Sequence, residues 1–172
     1  MPSIDLSDPG GVVEHIIERL GSIPIDYEER IGFIRSRNGT ADRWLAAGVI
    51  LLLHYHGGTG PGSGFMLQLI KRSALVPQPG DLSCPGGMLD PVTDRLLKLL
   101  VSSGLTPIMR GRARSLAKAR DGKTLDHISL FLTNALREAW EEVRISPLNV
   151  RFLGALPSRE LYVFSRIIFP VV

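Results

Sequence analysis

The chain has 172 residues, 44% hydrophobic and 22% charged, with a formal net charge of +3. That length suits one domain with a real core, and the composition excludes both a disordered chain and a disulfide-rich scaffold. A lone cysteine, Cys84, cannot form an internal bridge, so a reducing cytoplasm is the default compartment.

Residues Met1 to Gly10 are polar and broken by Pro and Gly, unlike a signal peptide. The longest apolar run, Trp44 to Leu53, falls well short of the roughly 20 residues a spanning helix needs, so no membrane partner is expected.

"SDPGGVVEHIIERLG" predicts a first helix with Ser7 or Asp8 as cap, Val12, Val13, Ile16, Ile17 and Leu20 on one face, and Gly21 as terminator. A polar connector, "SRNGTADR", completes an N-terminal region of residues 1–43. "WLAAGVILLLHYH" and "FMLQLIKRS" read as two strands around the glycine-rich hairpin loop "GGTGPGSG". The first is apolar enough to be buried on both faces. Ser73 to Gly87 reads as loop. Two helices should follow. One runs from Thr93 to Gly104, the other from a Thr106 cap and Pro107 to Gly122. A third covers Leu125 to Val143, and "VRFLGALPS" and "LYVFSRIIFPVV" read as closing strands.

Charge is unevenly spread. Arg95, Lys98, Arg110, Arg112, Arg114, Lys118, Arg120 and Lys123 crowd one region, opposed locally only by Asp121, and such a patch points to anionic partners. "RGRARSLAKAR" offers no aromatic ring for base stacking, so nucleic-acid binding is disfavoured. His54 and His56 alternate on a strand with no third ligand nearby, which favours ordinary strand-end histidines over zinc. Cys84 has no neighbouring base and reads as a small apolar filler.

Two stretches carry chemistry. In "ALREAWEEV", Glu138, Glu141 and Glu142 stand at i, i+3 and i+4 and share one helical face. A solvated acidic face explains them in isolation, whereas Mg²⁺ or Mn²⁺ would turn their repulsion into affinity. In "CPGGMLDP", Gly86 and Gly87 permit positive φ and close approach of backbone to a ligand.

Together these stretches resemble the Nudix box, G-x5-E-x7-R-E-U-x-E-E-x-G-U with U apolar. Gly87 stands at the opening glycine, and Arg137, Glu138, Ala139, Glu141, Glu142 and Ile145 match its second half. The resemblance implies an α/β/α sandwich around a mixed β-sheet. It implies a divalent-metal site on Glu138, Glu141, Glu142 and the Gly86 carbonyl, and Arg137 orienting a carboxylate. Thr93 stands at the first acidic position, with Asp94 one residue late, so Arg137 lacks its partner in register. Arg144 replaces the late glycine. About 40 residues separate Asp94 from Arg137 where the family has seven, which implies an inserted helical hairpin over residues 95–131.

Upstream, Arg72, Ser73, Gly80, Asp81, Ser83, Pro85, Gly86 and Gly87 resemble the extended motif of the coenzyme A pyrophosphatase branch. Cys84 replaces its aromatic residue, the motif's own Arg and His are missing, and it is one residue short. The resemblance runs from Trp44 to Val172 within a single domain of residues 1–172. It implies hydrolysis of the pyrophosphate of coenzyme A or acyl-CoA, with Arg72, Ser73, Gly86, Gly87, Arg112 and Arg114 meeting the substrate. Hydrolysis of another nucleoside diphosphate derivative, such as ADP-ribose or a dinucleotide, and a non-catalytic binding module are the alternatives. A homodimer is compatible with each. The chain ends on the apolar "FPVV" where family members continue, so a truncated C-terminus is expected and the general base stays unassigned.

Overall fold

The computed structural model describes residues 8–58, 63–73, 79–104 and 106–172. It is an α/β fold built on a four-stranded mixed sheet. In chain order the elements are α1 (Pro9–Ser22), α2 (Tyr27–Ser36), β1 (Leu45–Ile50), β2 (Leu52–His56), β3 (Gly64–Gln68), β4 (Ile70–Lys71), β5 (Leu82–Ser83) and β6 (Gly86–Met88). After these come α3 (Thr93–Ser102), α4 (Gly111–Lys118), α5 (Gly122–Val143), β7 (Arg159–Leu161) and β8 (Arg166–Val171). No helix among the described residues is long and apolar enough to cross a membrane.

The main sheet runs β6-β1-β8-β7. Strand β1 pairs antiparallel with β6 (Gly48 opposite Gly87) and parallel with β8 (Gly48 opposite Phe169), which makes the sheet mixed. The long apolar strand expected at Trp44–His56 breaks at Leu51. Its first half lies in this sheet, whereas β2 forms a separate ribbon with β3 and is exposed beyond Leu52. The middle of the predicted hairpin loop, residues 59–62, lies outside the described residues, as do 74–78 of the glycine-turn approach. That approach includes a short β4–β5 pairing where a loop is expected.

One face of the sheet is covered by helices. Phe131 on α5 stacks flat on Phe169 at 3.8 Å, and Tyr27 on α2 meets both rings edge-on while its hydroxyl donates to the Pro170 carbonyl at 2.7 Å. Helix α5 comes this close because β1 carries Gly48: a Cβ there would stand 2.8 Å from the Phe131 carbonyl and overlap the Asn134 side chain. The opposite face, with Ala47, Val49, Arg166 and Ile168, lines a cavity of about 660 Å³. The mixed sheet and the five helices of the described residues agree with the α/β class expected.

Several helix boundaries differ from expectation for physical reasons. Asp8 caps α1 by accepting from the Gly10 amide; Ser7 lies outside the described residues. Gly21 does not terminate α1 but lies inside it, where a Cβ would come 2.6 Å from Leu116 on α4. Helix α2 precedes the expected connector and was not anticipated, while residues 37–43 of that connector hold neither helix nor strand. Thr106 and Pro107 do not start a helix, because Ile108 and Met109 are drawn into the core first; α4 begins at Gly111 and α5 at Gly122, capped by Asp121. Rather than closing on each other, α3 packs along α5 and α4 against α1, so residues 95–131 join the helical layer. "VRFLGALPS" is not a strand, though its backbone bonds to Ile108, Pro170 and Val172.

Candidate functional site

The site is assembled where α5 crosses the β1–β6 pair. Three polar residues fix that crossing. Asn134, fully buried, accepts the Gly48 amide at 2.6 Å and donates to the Met88 carbonyl and to Asp94 Oδ2, each at 3.0 Å. Asp94, also fully buried, receives Arg137 Nε at 2.8 Å. Asp94 therefore supplies the partner that strict counting denied to Arg137. It reaches inward from the first turn of α3, whose start is held by Asp90 accepting from the Val92 and Thr93 amides. Asp94 further accepts the Asp90 amide at 2.8 Å.

Arg137 spends the rest of its fork on the carboxylates. Nη2 lies 2.8 Å from Glu138 Oε1 and Nη1 3.2 Å from Glu141 Oε1. The bond from Asp94, reinforced by Glu141 and Glu138, holds the guanidinium far above its ordinary pKa. Glu142 points elsewhere, accepting the Gly86 amide at 3.1 Å. Gly87 makes room for Glu138, since any Cβ at that position would overlap its carboxylate. Burial lifts the carboxyls of both Glu138 and Glu142 above their usual range. Arg137 opposes the lift at Glu138; the Gly86 amide and Arg72 oppose it at Glu142.

Glu138, Glu141 and Glu142 thus share the face expected of them, with Arg137 and the Gly86–Gly87 strand beside them. Among the described residues, no three His, Cys, Asp or Glu side chains are gathered as a ready cluster for a metal ion. Arg137 draws Glu138 and Glu141 to itself and Gly86 draws Glu142 away, which is how like charges settle when a cation of the chain itself is at hand. The donor set, three carboxylates beside a glycine backbone, is of the oxygen type that Mg²⁺ or Mn²⁺ takes.

Glu142, Gly86 and Gly87 line the 660 Å³ cavity together with Arg72, Ser73, Asp81, Ser83 and Cys84. Residues some seventy positions apart in the chain thus meet on one hollow. Arg112 and Arg114 do not join them. Arg112 pairs with Glu18 on α1, and Arg114 donates to the Ser102 carbonyl at 3.3 Å. Asn134 is the residue that sequence reasoning missed, and Asp94 the one it set aside. Asp94 was one position off the pattern, and a buried polar residue in mid-helix carries no sequence signal.

Comparison with protein-family models finds no match for the chain, and comparison with curated protein sequences finds none.

Proposed function

We propose that the chain is a Nudix-type hydrolase that cleaves the pyrophosphate bond of coenzyme A or acyl-CoA with Mg²⁺ or Mn²⁺, yielding phosphopantetheine and phosphoadenosine phosphate products. The observation that carries this reading is the meeting of Arg72, Ser73, Asp81, Gly86 and Gly87 with Glu142 on one cavity, beside an arginine-held row of carboxylates.

The roles follow from the contacts. Asp94 and Asn134 fix the depth and rotation of α5 against β1 and β6. Arg137, so anchored, orients Glu138 and Glu141. Glu142 presents its carboxylate to the cavity, and Arg72 adds positive charge close enough to pull the Glu142 pKa down. Glu138, Glu141, Glu142 and the Gly86 backbone are the groups that would hold the cation; when bound, it neutralises phosphate charge and activates water. Arg72 and Ser73 with the Gly86–Gly87 backbone would face the substrate's phosphates.

The test is direct. Purified protein with Mg²⁺ or Mn²⁺ is offered coenzyme A, an acyl-CoA, ADP-ribose and a dinucleotide, and products are separated by chromatography. Turnover of the coenzyme A compounds, lost by orders of magnitude in Glu141→Gln and Glu142→Gln, supports the reading. Preferential turnover of ADP-ribose or the dinucleotide would move the substrate assignment. Inertness toward the whole panel would end the hydrolase reading.

A further inference from the structure

The outer face of the sheet carries a guanidinium outside the roles described so far. Arg166 opens β8, flanked by Leu45 of β1 and Leu161 of β7, and lines the same cavity as Arg72, Gly86 and Glu142. Its Nε is shielded from solvent and has no hydrogen-bond partner among the described residues. Its guanidinium carbon lies 5.8 Å from the centre of the Phe164 ring.

Other partly buried arginines here spend their forks within the chain. Arg137 serves Asp94, Glu138 and Glu141; Arg30 serves Asp26 and Glu160; Arg120 serves two carbonyls of α1. A shielded donor without an acceptor lowers stability and calls for an explanation. A planar fork near an aromatic ring, beside a cavity that a second arginine also lines, is matched to the paired oxygens of a phosphate.

We propose that Arg166 is a substrate-binding residue that takes non-bridging oxygens of the phosphoanhydride, reaching the cavity from the main sheet while Arg72 reaches it from the β4–β5 ribbon. The inference rests on the hydrolase reading for its substrate, but the site can be probed by binding alone. The Phe164 ring lies 5.8 Å from the guanidinium carbon, and Asp81 and Glu142 line the same cavity, so an anion that brings a cation with it is favoured there.

Inorganic pyrophosphate is titrated into the full chain by calorimetry, with and without Mg²⁺. Arg166→Gln should weaken binding about ten- to a hundredfold. Arg166→Lys, which keeps the charge but not the fork, should fall between Arg166→Gln and the wild type. Arg151→Gln, which breaks a pair with Glu14 away from this cavity, should bind as the wild type does. Thermal midpoints confirm that each variant is folded, and Arg166→Lys carries the test if Arg166→Gln is not. Unchanged pyrophosphate affinity in the folded variants, or none in the wild type, overturns the proposal. Turnover by Arg166→Gln at an unaltered Michaelis constant also overturns it while leaving the hydrolase reading intact. Loss of pyrophosphate binding in Arg166→Gln without wild-type turnover keeps the anion site and removes the hydrolase.

Discussion

Asp94 Oδ1 accepts Arg137 Nε at 2.8 Å from a position with no solvent exposure, and this pair ties the start of α3 to the middle of α5 across about forty residues of intervening chain. Removing one partner of a buried pair leaves the other charge uncompensated, at a cost of about 3–5 kcal/mol. Asp94→Ala should therefore lower the denaturant midpoint sharply. Asp94→Asn, which keeps an acceptor for Arg137 or for Asn134, should cost less. Equal stability of Asp94→Ala and the wild type in urea unfolding would show that the pair does not organise the site.

Gly87 separates geometry from stability. A methyl group there meets the far end of the Glu138 side chain rather than backbone, so the carboxylate can swing aside cheaply. Gly87→Ala should keep its thermal midpoint close to that of the wild type while turnover falls by at least about tenfold, as expected when a positioned group shifts by roughly an ångström. Full activity in Gly87→Ala would mean that Glu138 need not lie against β6.

Arg144 occupies the position where the resemblance calls for glycine, and it adopts the conformation glycine would supply. Its φ of 57° and ψ of 28° are left-handed, and its amide closes the helix on the Trp140 carbonyl. A side chain in this region costs about 1–2 kcal/mol. The guanidinium lies 6.0 Å from the Trp140 ring centre, a weak offset at an exposed site. Arg144→Gly should raise stability by about 1 kcal/mol, read as a higher urea midpoint with an unchanged slope. A lower midpoint would show that the side chain contributes more than its backbone strain.

How much of this was legible depends on how local each signal was. Glu138, Glu141 and Glu142 were assigned to one face from helical spacing alone, and Gly86 and Gly87 from their need for close approach. Both rest on short-range geometry. Helix α2 was not seen because it buries only Tyr27 and Ile31, too thin a stripe to register as periodic. Asn134 was missed because its partners lie on β1, β6 and α3, and no spacing rule predicts which mid-helix polar residue will meet a strand's amide. Asp94 was set aside because it stands one position past the pattern. The outer face of the sheet was equally hidden, since strand alternation places Arg166 with Ile168 but says nothing of what lies opposite.

His127 should make the fold sensitive to mild acid. It is buried near the start of α5, and its Nδ1 has no partner among the described residues. Burial pushes its pKa below the usual 6.5; Asp126 and Glu28 pull it back, while Arg35 and Lys98 push it further down. The unfolded chain therefore binds this proton at a higher pH than the folded chain, and stability falls as pH drops below 6.5 toward the folded value. The thermal midpoint of the wild type should drop between about pH 7.5 and 5.5, and His127→Leu should flatten that segment of the profile. Parallel profiles for the two proteins would place the acid sensitivity elsewhere.

The basic stretch that suggests an anionic partner in sequence is largely occupied within the fold. Lys98 pairs with Asp126 just past the stretch, Arg112 with Glu18 on α1 and Lys123 with Glu28 on α2. Arg120 reaches the end of α1 and donates to the Leu20 and Gly21 carbonyls at 2.8 and 2.9 Å, closing acceptors that a helix terminus leaves open. These arrangements differ in weight. The Arg112 pair is exposed and screened by salt, whereas Arg120 is partly buried and holds two bonds. Arg120→Ala should therefore lower stability by about 1.5–3 kcal/mol, and the double variant Arg112→Glu with Arg114→Glu should leave the Michaelis constant for coenzyme A and its salt dependence where they were. A rise in that constant which shrinks with added salt would instead bring the α4 arginines to the substrate, and with them the reading of residues 95–131 as part of the cavity's entrance.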